Sequence, residues 1–232
     1  MKPINQYLPL FLVTLIGVTC VQAQSSLDVH VGASGAYAKS TGQSINTFGD
    51  GNLYSTPSLS GVFMNFGGGI MVTPRLGFGG EFSFQPGKSD YAGLSYRPIF
   101  YDFNALFHPA PSAKRVVPEV QAGLGGANLK FYYNQQDCNA FTGCSNSSSY
   151  LQSSNHFQLH AGAGVSFFVT PNIYVRPQFD LHWVHNFFQF GTNWVPQYGV
   201  SVGYRFGGDE RTGETVPASG AFARSSNACG GL

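Results

Sequence analysis

The sequence predicts an all-β fold, an eight-stranded antiparallel up-and-down transmembrane β-barrel. Three observations carry this. From His156 to Phe206 apolar and polar residues alternate with a period of two, in runs of about 11 to 14 residues, near the length a tilted strand needs to cross a bilayer. Only 10% of residues are charged, whereas 21 are Phe and 12 are Tyr; a soluble protein carries roughly 25% charged residues. A polar face made mostly of Gly, Ser and Gln is a poor coat for water, but it fills a narrow lumen well when the apolar face touches lipid. Third, eight such spans follow one another, joined alternately by long and short connections, which puts both chain ends on one side. The body contains no apolar run of about 20 residues, which excludes a helical membrane protein.

Lys2 precedes an apolar stretch from Tyr7 to Val18, and Val21-Gln22-Ala23 ends in a small residue, the pattern of a secretory leader over residues 1–23. Thr19 before Cys20 departs from a lipoprotein processing box. Cleavage removes Lys2 and takes the formal charge from +1 to 0, so nothing points to nucleic acid as a partner.

The first span, about residues 27–37, sets Leu27, Val29, Val31 and Tyr37 outward against Asp28, His30, Gly32 and Ser34. The second, about 60–72, sets Val62, Met64, Phe66, Ile70 and Val72 against Asn65, Gly67, Gly69 and Met71. After Thr73-Pro74-Arg75 the third, about 76–85, alternates Phe78, Phe82 and Phe84 with Gly79, Glu81 and Ser83. In the fourth, about 94–107, Arg97 and the later Asp102 and Asn104 cannot share one face, which predicts a β-bulge near Phe100. The fifth, about 116–133, shows a similar slip near Gly125-Gly126. The sixth puts Phe157, Leu159, Ala161, Ala163, Val165 and Phe167 outward; the seventh Ile173, Val175, Phe179 and Leu181; the eighth Tyr198, Val200, Val202, Tyr204 and Phe206. Long connections are expected at 38–59, 86–93, 134–154 and 184–193, short ones at 73–75, 108–115 and 170–172. Trp183 and Trp194 fall at one height near the long loops and, with Tyr204 and Phe206, make an aromatic girdle. Pro118 and Pro196 lie near strand ends, but Pro98 and Pro177 remove ladder donors inside spans for no reason visible in the sequence.

Inward positions collect Asp28, His30, Glu81, Asp102, Glu119, His156, His160, Arg176, Asp180, His182 and Arg205. Such a cluster serves as a proton or ion path, or pairs internally and plugs the barrel; eight strands leave an interior just wide enough for side chains, which favours the plug. Arg176 and Arg205 against Glu81, Asp102, Glu119 or Asp180 are the expected pairs. No catalytic, cofactor-binding or metal set is expected: a lipid-facing acyl-hydrolase needs His and Ser two apart on the outward face with an acid nearby. His160 and His182 point inward and His185 lies in a loop. Cys138 and Cys144 are expected to form a disulfide in the third long loop, where Asp137 alone is too little for a metal. Ile45, Phe48, Tyr54, Phe141, Phe187, Phe188 and Phe190 make the long loops aromatic, leaving a surface ligand there as a partner class. The tail, residues 207–232, is rich in Gly, Ser and Ala, holds Cys229 and reads as disordered.

The eighth span ends Val200-Ser201-Val202-Gly203-Tyr204-Arg205-Phe206. With the architecture above, this resembles the small eight-stranded outer-membrane barrels of the OmpA-like, opacity-protein type, over residues 25–206. The resemblance implies that Val200, Val202, Tyr204 and Phe206 form the signal read by the barrel assembly machinery. It also implies a bacterial outer-membrane location with long loops extracellular and termini periplasmic, lipid as the surrounding partner, and a structural or adhesive role. In that family the last strand usually ends the chain, whereas here residues 207–232 follow. The competing functions are a narrow ion pore, a lipid A acyl-hydrolase, and a soluble lipocalin-type barrel with an apolar ligand cavity.

Overall fold

A computed structural model of the chain describes residues 26–110, 115–139 and 143–207; the leader, Phe141 and the tail with Cys229 lie outside the described residues. Strands are β1 (Ser26–Ala38), β2 (Ser44–Ile45), β3 (Tyr54–Ser55), β4 (Leu59–Met71), β5 (Leu76–Phe84), β6 (Ser89–Tyr91), β7 (Leu94–Phe107), β8 (Val116–Asn139), β9 (Gly143–Phe168), β10 (Ile173–Val184) and β11 (Trp194–Phe206). β2 and β3 form a small hairpin within the first long loop, and β6 pairs only with the start of β7.

The other eight strands each pair antiparallel with their sequence neighbours, and β1 closes on β11. Following the register from Ser26 through Met71, Gly77, Leu106, Gln121, Gly162, Asp180 and Gln197 returns to β1 at Ala36, a shear of 10. For eight strands about 4.8 Å apart, rising about 3.3 Å per residue, that shear tilts them by about 40°. Both tight turns start with Thr-Pro, and the threonine hydroxyl holds them: Thr73 Oγ1 accepts from the Leu76 amide at 2.9 Å and Thr170 Oγ1 from the Ile173 amide at 2.9 Å.

The polarity is that of a membrane barrel. Val31, Phe66, Phe103, Leu159 and Val202 lie on the exposed face, while Gln158, Asp180, Arg176 and Arg205 are buried inside. A lipocalin-type interior would place these two sets the other way round.

Two expected irregularities are absent. β7 pairs with β5 and β8 without a break at Phe100, and β8 runs through Gly125-Gly126 in constant register; its one shift relative to β9 lies at Phe131/Tyr132. The side-chain phase is constant and the chemistry changes instead. Towards the long loops the inward residues become Phe100, Ala127, Leu129 and Phe131, which join Leu59, Phe63, Tyr96, Val184, Phe190 and Val195 in an apolar core. Arg97 is outward, its guanidinium donating to the Pro86 carbonyl at 3.0 Å. From the girdle level upward the wall meets headgroups and water rather than hydrocarbon, so the interior can be apolar, as in a soluble protein.

The expected loop at 134–154 is largely a two-stranded ribbon. β8 and β9 stay paired out to Asn139↔Gly143, far past the last β7–β8 pair, Ser95↔Tyr132. Cys138 and Cys144 face each other across it and form the disulfide. The prolines acquire reasons too. Pro98 falls between the β6 and β5 partners of β7, where that ladder lapses, and Pro177 lies where the β9–β10 pairing skips Arg176 and Pro177 before resuming in the same register.

Candidate functional site

The lumen is built in layers. Nearest the short turns, Asp28 and Arg205 are register partners on β1 and β11 and form a fork-to-fork pair, Nε to Oδ1 2.7 Å and Nη2 to Oδ2 2.9 Å. Above them Arg176 Nη1 donates to Glu119 Oε1 at 2.7 Å, its Nε to Gln178 Oε1 at 3.1 Å, and its Nη2 meets His30 Nε2 at 2.8 Å. The second oxygen of Glu119 takes His108 Nε2 at 2.9 Å. His108 is a partner that sequence reasoning missed, because it was assigned to a turn.

The central layer turns on Asp180 and His160. Asp180 accepts from His160 Nε2 at 3.1 Å, Gln121 at 3.0 Å and Gln178 at 2.8 Å; His160 Nδ1 lies 2.9 Å from Asn104 Oδ1 and 3.6 Å from Asp102. The glycine opposite Asp180 is required, since a Cβ on Gly162 would sit 2.3 Å from its Oδ1. Gln178 also donates to Glu81 at 3.1 Å, and Gln158 to Asp102 at 3.3 Å. Higher still, His182 Nε2 meets Gln197 Oε1 at 3.0 Å, and Gln197 donates to Ser34 and Ser83. The His182 ring stacks between His160, 4.8 Å away, and Phe100, 5.1 Å away. That stack is the seam between polar plug and apolar cap.

Among the described residues of the lumen, Asp28, Glu81, Asp102, Glu119 and Asp180 thus share two guanidinium groups, Arg176 and Arg205, and their other side-chain hydrogen-bond partners are imidazole and amide donors. Glu81 Oε2 and His30 Nδ1 have no protein partner; both residues line a cavity of about 10 Å³, enough for one bridging water. Asp102, His160 and His182 bring potential ligand atoms within 4.8 Å of one another. The two rings are stacked only 18° from parallel, so their in-plane lone pairs run side by side, a poor geometry for a shared metal.

Above the seam the apolar core seals the barrel. The first loop folds over it, with Phe48 edge-on to Tyr54, Tyr91 and Phe131 at 5.2, 5.9 and 5.4 Å. Phe187 and Phe190 close the other side, leaving Phe188 exposed.

His156 stands apart from the other inward residues. It is half-buried at the rim, its Nε2 2.8 Å from Ser154 Oγ and its Nδ1 3.2 Å from the His185 carbonyl. This Ser–His pair, two residues apart, is not marked out in the sequence, because His156 falls on the inward face with the other polar residues. It lies under the fourth loop rather than on the lipid-facing wall, and the atom orienting His156 is a backbone oxygen, where the hydrolase pattern places an acid. Trp183 and Trp194 are direct partners across β10 and β11, and Tyr204 packs on Phe206 at 4.5 Å at the opposite end. By the tilt above, the Trp183 level stands about 22 Å from Tyr204 along the axis, close to the ~25 Å apolar band of such barrels.

Comparison with solved structures finds the same fold in Neisserial surface protein A (18% identity, TM-score 0.50, covering 77% of this chain and 95% of that one). It is also found in a major outer membrane protein from Thermus thermophilus (13% identity, TM-score 0.53, covering 78% and 99%). At these identities the likeness shows the fold alone. No curated protein matches the sequence. Residues 11–206 match the outer membrane protein beta-barrel domain, and the chain, a closed eight-stranded barrel with a lipid-facing apolar skin, belongs to that family.

Proposed function

We propose that this protein is a non-conducting surface scaffold of the outer membrane, which holds its β8–β9 ribbon and long loops outside the cell for adhesion to a surface ligand. The observation that supports this most is the double seal of the lumen, a hydrogen-bonded plug beneath an apolar, largely aromatic cap, beside a ribbon that stands far above the barrel wall. The termini are periplasmic in this reading, residues 1–23 are the cleaved leader, and residues 207–232 form a periplasmic tail. Trp183, Trp194, Tyr204 and Phe206 anchor the two interfaces, and Val200, Val202, Tyr204 and Phe206 present the signal to the assembly machinery.

Reconstituted in planar bilayers, the protein is expected to give no single-channel steps. Removing residues 134–152 is expected to abolish attachment to the ligand surface while leaving heat-dependent gel mobility intact. Discrete conductance steps would support the pore instead. Loss of an acyl chain from lipid A on incubation, absent in Ser154→Ala, would turn the reading towards a hydrolase built on Ser154 and His156.

A further inference from the structure

On the outer wall, just above the apolar band, Arg97 on β7 is the direct cross-strand partner of Lys130 on β8. Like charges directly opposite in a sheet destabilise it. Lys88, one residue beyond the last β6–β7 pair, Ser89↔Tyr96, adds a third cation to the same wall. Lys88 Nζ lies 4.0 Å over the Tyr132 ring and contacts Ser148 Oγ. Arg97 uses one guanidinium nitrogen on the Pro86 carbonyl, and its Nε is buried without a partner. The ion pairs formed among the described residues lie in the lumen; the nearest exposed carboxylate on this wall, Asp90, belongs to the next row, opposite Ser95.

Height decides what such a row meets. With strands tilted by about 40°, Arg97 and Lys130 stand about 5 to 9 Å above the level of Trp183, in the headgroup layer. Below them the same wall is apolar, with Tyr101 and Phe103 exposed. At that height Lys88 is exposed and Arg97 and Lys130 are half-exposed on the outward face.

We propose that Lys88, Arg97 and Lys130 bind a phosphate of a phosphorylated glycolipid headgroup in the leaflet at the long-loop side, with its acyl chains along Tyr101 and Phe103. Three cations match a phosphomonoester, which carries about −1.5 to −2 at neutral pH, better than a singly charged phosphodiester. The bound phosphate turns the repulsive Arg97–Lys130 pair into two charge-assisted contacts.

The test uses the full chain folded in neutral detergent, with bis-phosphorylated lipid A as the probe and native mass spectrometry as the readout. Wild type and Lys39→Gln are expected to retain lipid A; Lys39 ends the loop side of β1, across the ring from β8. Arg97→Gln/Lys130→Gln is expected to hold it roughly tenfold more weakly. High salt is expected to weaken wild type towards the variant. A second readout separates binding from structure. Without lipid A, the double variant unfolds at the same temperature as wild type or higher, since a repulsion is gone; with lipid A, only wild type gains stability. Equal retention by the double variant, equal binding of phosphatidylcholine, or displacement by excess inorganic phosphate would each overturn the proposal, the last by making it a general anion site.

Discussion

Arg176→Met is expected to lower the stability of the folded barrel by about 3–5 kcal/mol, the cost of leaving a buried charge without its partner. Arg176 is 5% exposed and binds Glu119, Gln178 and His30 at once. Methionine keeps most of the aliphatic stem but strips Glu119 of its guanidinium, leaving His108 as its remaining side-chain partner. Urea unfolding in micelles, followed by Trp183 and Trp194 fluorescence and by gel mobility, measures the loss. Arg176→Met/Glu119→Gln is expected to recover more than half of it, because the penalty is chiefly the stranded carboxylate. Arg176→Lys should fall between, since an ammonium cannot reproduce the fork that reaches three partners. A loss below about 1 kcal/mol for Arg176→Met would mean that water reaches this layer, and the sealed lumen would have to be abandoned.

The second large effect concerns the skin. Val31 is 45% exposed on the outward face of β1, next to Phe66 and Val202; the strand tilt puts it about 14 Å below the Trp183 level, near the bilayer middle. Val31→Arg is expected to cost about 2–4 kcal/mol when the protein folds into lipid vesicles, whereas Tyr37→Arg, at the interface on the same strand, should cost about 0–1 kcal/mol. On a water-exposed surface the two substitutions would be equally mild.

The spans and their inward and outward faces were legible because lipid and lumen impose opposite chemistry on successive residues. That logic fails from the girdle level upward. Phe100, Leu129 and Phe131 point inward like Asp102 and Gln121, but a wall that meets headgroups and water rather than hydrocarbon can enclose a greasy interior. A reading by polarity therefore sees a slip in phase where the backbone has none. The β8–β9 ribbon was hidden by its composition: Ser145, Asn146, Ser147, Ser148 and Ser149 read as loop, although backbone pairing holds them in a strand. The charged members of the lumen cluster were legible, while the amides that join them, Asn104, Gln121, Gln158, Gln178 and Gln197, carry no distinguishing signal in sequence. His108 was invisible because pairing with Glu119 depends on how the β7–β8 turn folds back into the lumen.

The most direct test of the inverted polarity is a nitroxide scan along β11 in lipid vesicles, comparing accessibility to oxygen, which concentrates in hydrocarbon, with that to a water-soluble nickel chelate. Labels at Tyr198, Val200, Val202 and Tyr204 are expected to show high oxygen and low nickel accessibility, and those at Gln197, Gly199, Ser201 and Gly203 low values for both, with a period of two. Nickel reaching Val200 and Val202 as readily as a surface loop would contradict a lipid-facing apolar wall.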